Sequence, residues 1–97
     1  MARVALHSPD LLFGSKVEGA LRAAGHEVVR SGDAEVAVVD LTEGEVPDPP
    51  EQPSVAYYLH TDHATRQRAE AAGYDLVVPR SRMNREAVQL VERLLAG

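Results

Sequence analysis

The sequence predicts an α/β domain: a mostly parallel sheet of about five strands carrying about three helices. Three observations lead there. Short apolar runs of strand length alternate along the chain with segments of helical period. The run Val36-Ala37-Val38-Val39 has no polar break, as expected of a strand buried on both faces of a parallel sheet. A length of 97 residues suits one core, so residues 1–97 read as a single domain.

The elements follow in order. Val4, Ala5 and Leu6 make a first strand that ends in His7-Ser8-Pro9-Asp10, where a capping hydroxyl, a proline and an acid mark a helix start. Phe13, Val17, Ala20, Leu21 and Ala24 then share one helical face, and Gly25 stands where a left-handed terminal residue is expected. Glu27 to Arg30 and Glu35 to Leu41 are two strands, the second one central. From Thr42 to Pro53 the acids Glu43, Glu45, Asp48 and Glu51 interleave with four prolines, and an extended loop follows. Val55 to Leu59 is a fourth strand, Ala64 to Ala72 a helix stopped by Gly73, and Leu76 to Val78 a fifth strand ending at Pro79. A last helix, about Asn84 to Ala96, packs through Ala87, Val88, Val91, Leu94 and Leu95.

Composition excludes several function classes. Ten basic against fifteen acidic residues give a net charge of −5, which argues against a phosphate-tracking nucleic-acid surface. All of that excess lies before residue 51. The absence of cysteine removes disulfides, thiol nucleophiles and thiolate metal sites. Nothing near Met1 looks like a signal peptide or a membrane span, so a cytoplasmic protein is the expectation. No glycine-rich phosphate loop, nucleophile elbow or glycosidic acid pair is present, and no enzyme is expected.

With the strand ends placed, the chain resembles the receiver domain of bacterial response regulators, a flavodoxin-like sheet ordered 2-1-3-4-5. The resemblance implies a site beyond the carboxyl ends of the strands. There Asp40, in Val38-Val39-Asp40-Leu41, looks like the phosphoacceptor. Asp10 is similar to the acid that joins it in holding Mg²⁺, Thr61 to the hydroxyl residue after the fourth strand, and Arg80 to the family's lysine. His7 and His60 fall at the same edge. The chain departs from the family in having one acid rather than two after its first strand and Pro79-Arg80 in place of lysine-proline. The second helix of the family is missing, since only Ser31 to Ala34 separate strands two and three, and the third is missing too, with the extended Thr42 to Pro53 in its place.

The expected function is therefore a pseudo-receiver: a non-catalytic signalling or interaction module that needs no cofactor and binds a protein partner, with neither nucleic acid nor membrane. An active receiver phosphorylated on Asp40, with Mg²⁺ on Asp10 and Asp40, is the alternative. A small metal protein using His7, His60 and an aspartate is a third. Two readings of residues 27–41 stay open, a parallel crossover and an antiparallel hairpin turned at Ser31-Gly32-Asp33. A homodimer is expected from the bare apolar sheet face that two absent helices would leave.

Overall fold

The computed structural model describes every residue except Met1, Asp10 and Ser31, and for Leu11 the backbone alone. Five strands form one sheet: β1 (Arg3–His7), β2 (Glu27–Val29), β3 (Val36–Asp40), β4 (Ser54–Tyr58) and β5 (Leu76–Pro79). Three helices accompany them, α1 (Leu11–Ala23), α2 (His63–Ala72) and α3 (Arg80–Leu95). The strand order is β2-β1-β3-β4-β5 and every pairing is parallel. The flavodoxin-like expectation holds, and the antiparallel hairpin does not.

β2 and β3 never pair with each other, because β1 lies between them. The short connector succeeds through register. Val29 at the end of β2 is level with Ala5, and Val36 at the start of β3 is level with Val4. The chain therefore moves two strand spacings sideways, about 10 Å, and back by only one residue. A helix is needed to return along full-length strands; β2 has three residues and needs none.

α1 and α3 cover one face of the sheet, over a core that includes Leu6, Val17, Leu21, Val38, Tyr57 and Val91. The opposite face carries Val39, Leu41, Ala56, Ala69 and Tyr74, under α2 and the loop from Thr42 to Pro53. That loop is pinned: Tyr74 Oη donates to the Pro47 carbonyl at 2.8 Å, and Arg68 donates to the Gly44 carbonyl at 2.8 Å. Burial raises the pKa of the Tyr74 phenol, and the nearby Asp48 carboxylate adds to the effect.

The bare apolar sheet face is not found. On the sheet face away from α1 and α3, the small Ala5 of β1 and Ala37 of β3 are buried side by side, and the Arg3–Glu27 ion pair at 3.4 Å links β1 to β2. The large exposed hydrophobic residues among the described ones are Leu12, Leu59 and Leu95.

The helices correct three details. Phe13, Val17 and Leu21 are buried as expected, but the stripe takes in Gly14 while Ala20 and Ala24 are exposed. α1 ends as expected at Gly25 (φ +92°), with His26 N–H donating to the Leu21 carbonyl and Gly25 N–H to that of Arg22. α3 begins at Arg80 and kinks at Glu86, which adds Met83 to the core. Leu90 lies inside as well, whereas Leu95 is exposed beside the core-packed Leu94.

Candidate functional site

Parallel register places three side chains in one row at the carboxyl edge of the sheet. His7 is level with Val39, so Ser8 follows beside Asp40, and Asp40 is level with Tyr57 on the other side. The row is joined by hydrogen bonds. Tyr57 Oη donates to Ser8 Oγ at 3.2 Å, and Ser8 Oγ donates to Asp40 Oδ2 at 2.6 Å. The second carboxylate oxygen is also engaged, because Asp40 Oδ1 accepts from Thr42 N–H at 2.8 Å and from Thr42 Oγ1 at 2.5 Å.

Local sequence explains each arm. An aspartate with a hydroxyl residue two positions on readily turns back to accept that residue's N–H, which closes the end of β3. Gly14 lets α1 approach Ser8: a Cβ at that position would stand 3.3 Å from Ser8 Oγ. Beneath the row, the Phe13 and Tyr57 rings lie 5.1 Å apart and the Arg80 guanidinium covers Phe13 at 4.4 Å.

The expected site residues separate into groups. Asp40 stands at the end of β3, as the resemblance implied. Arg80 opens α3 at the same edge, where its guanidinium lies over the Phe13 ring of α1, itself packed on Tyr57. Thr61 is exposed, three residues beyond the end of β4, in the turn before α2. The cap of that helix is Asp62, which accepts from Thr65 N–H at 3.1 Å and from Thr65 Oγ1 at 2.6 Å. Those bonds lower its pKa. Asp10 lies outside the described residues.

His7 and His60 line different hollows, His7 beside Asp40 and His60 beside Arg80. Among the described residues no three His, Asp or Glu side chains converge as a metal site. The described residues also fit Mg²⁺ poorly. Magnesium takes one or two carboxylates, and three hydrogen bonds from Ser8 and Thr42 already use most of the roughly four lone-pair sites of Asp40.

Three partners in this network were not anticipated from sequence. Ser8 read as a helix cap, Tyr57 as part of the fourth strand, and Thr42 as the start of a loop. The Asp40–Thr42 spacing was a usable signal; Ser8 and Tyr57 become visible only once strand order and register are known.

No family model matches the chain, and no curated protein matches its sequence. Solved structures do. A response regulator receiver protein from Burkholderia phymatum superposes with a TM-score of 0.79 at 15% identity, over 99% of this chain and 96% of that one. The receiver domain of the Francisella response regulator 1452 gives 0.78 at 11% identity, covering 99% and 98%. The Rec1 domain of ShkA, solved in complex with c-di-GMP, gives 0.72 at 20% identity, covering 93% and 89%. The chain therefore has the receiver-domain fold. Among the described residues it lacks a helix between β2 and β3 and another between β3 and β4.

Proposed function

We propose that this chain is a receiver-like interaction module that does not accept phosphoryl groups and catalyses no reaction of its own. One observation carries the reading: three hydrogen bonds from Ser8 and Thr42 occupy the Asp40 carboxylate that a receiver would use as its nucleophile. A carboxylate attacks phosphorus once a metal and a cation offset the charge of the transferring group. Here hydroxyls stand in that place. Ser8 occupies the end of β1 level with Asp40, and Arg80 rests on an aromatic ring. Thr61 stands in an exposed turn.

Such a module acts in signalling by contact, with a protein partner of which a second copy of the chain is one candidate. A bacterial, cytoplasmic setting is part of the proposal. It agrees with the receiver fold of the solved relatives and with the absence, among the described residues, of a helix long and apolar enough to cross a membrane.

Incubation with Mg²⁺ and acetyl phosphate, read by intact mass, tests the reading. No phosphate-sized gain is expected in folded protein. A gain in wild type that disappears in Asp40→Asn would overturn it in favour of the active receiver, in which Asp10 and Asp40 would hold the metal and Thr61 and Arg80 would meet the phosphoryl group.

A further inference from the structure

Two hollows of opposite chemistry flank the Ser8–Asp40–Tyr57 row at the carboxyl edge of the sheet. One, of about 390 Å³, lies between the starts of α1 and α3 and is lined by Lys16, Leu59, Arg80 and Ser81 among others. The other, of about 310 Å³, lies on the far side of the row, where Glu43 and Glu45 join Asp40 and Pro9. Both acids are exposed.

The two most exposed large hydrophobic residues among those described belong to this edge: Leu12 is 82% and Leu59 is 39% exposed. Leu12 precedes Lys16 by four residues and so shares its helix face, while Arg85 stands one turn past Ser81 on α3. Among the described residues, Arg3, Arg22, Arg30, Arg66, Arg82 and His26 form ion pairs with glutamates, and neither Lys16 nor Arg85 is seen in such a pair. Glu43 and Glu45 are likewise outside them.

We propose that this edge is a two-fold interface between copies of the chain, in which the Glu43–Glu45 hollow of each copy faces the Lys16–Arg85 side of the other while Leu12 and Leu59 are covered between them. This rests on the interaction-module reading and names its partner. The geometry suits a two-fold axis, because a surface with acid on one side of a central ridge and base on the other is complementary to itself when rotated by half a turn. Every contact is then made twice.

The net charge of −5 on each chain opposes undirected association, so orientation is set where opposite charges meet. The acidic side is also held in shape beforehand. Arg68 ties the Gly44 carbonyl between the two glutamates, and Tyr74 ties Pro47, so little loop ordering is left for association.

A charge-exchange experiment tests the proposal, with sedimentation run without Mg²⁺ or phosphodonor. Wild type is expected to dimerise. A Glu43→Lys/Glu45→Lys chain presents base on both sides and a Lys16→Glu/Arg85→Glu chain acid on both, and each alone should self-associate at least tenfold more weakly. Mixed together they restore both contacts and should form a heterodimer. Leu12→Asp, at an exposed position, should abolish the dimer while leaving the circular dichroism spectrum unchanged.

A monomeric wild type at high concentration would overturn the proposal, as would a dimer indifferent to all these changes, or folded variants that weaken association singly yet fail to pair. Those results leave the Asp40 mass measurement untouched. Conversely, phosphorylation of Asp40 would overturn the functional reading without altering any sedimentation result here.

Discussion

Asp40 is held by the protein itself. Its two oxygens take three hydrogen bonds, and a hydrogen bond to a charged group contributes roughly 1.5–3 kcal/mol when well made. Because the site is part-buried, Ser8→Ala should cost about 1.5 kcal/mol in denaturant unfolding, at the lower end of that range. Thr42→Val should cost a similar amount. If Ser8→Ala leaves the midpoint unchanged, Ser8 is not holding the carboxylate.

Asp62 provides a pH-dependent counterpart at the start of α2. Its bonds to Thr65 lower its folded pKa below 3.8, so the stability it contributes is complete above 3.8 and is lost as pH falls through the lowered value. Asp62→Asn should therefore flatten the acid side of the stability curve below about pH 4 while changing little above it. Acid titration followed by circular dichroism checks this; an unchanged acid limb would show that the cap does not titrate with folding.

At the scale of elements, the Pro-rich segment does the work of a missing helix. It covers the β3–β4 side of the sheet with Val46 against Leu41, Ala56 and Tyr74, and its prolines fix φ so that little entropy remains to be lost. Its anchor is the Tyr74 hydroxyl. Tyr74→Phe removes the donor to Pro47 and should speed hydrogen exchange across residues 44–53 with little change in the α1–α3 face. Burial, with the nearby Asp48 carboxylate, also makes folding oppose the phenol's ionisation. Its pKa is raised above 10.0, so the protonated form stabilises the loop up to that pH, and the stabilisation fades as pH rises through the raised value. Uniform exchange across the chain in Tyr74→Phe would count against this anchoring role.

His26 ties another pair of elements. It is buried behind the end of α1, with Nδ1 accepting from Ala2 N–H at 3.2 Å and Nε2 at 3.4 Å from Glu92 Oε2. The acceptor role of Nδ1 places the proton on Nε2, facing α3.

For the whole molecule, the alternation of apolar runs and helical segments determined the α/β class, the five strands and the three helices. Val36 to Val39 announced a central strand because only a position buried on both faces tolerates such a run. Asp40 was legible as a strand-end acid. Sequence periodicity is a local property, and it reports which face of an element is apolar without reporting what lies next to it.

Strand order and register are long-range, and they decided the rest. The three-residue β2 removed the need for a crossover helix, which counting connector residues could not reveal, since the distance to be spanned depends on where the strands sit beside β1. The absence of a bare sheet face was likewise decided in three dimensions, where the buried residues of that face include the small Ala5 and Ala37. So was the fate of Asp40: its neighbours Ser8 and Tyr57 stand 32 and 49 residues from their partners in sequence, and only parallel register brings them into one row.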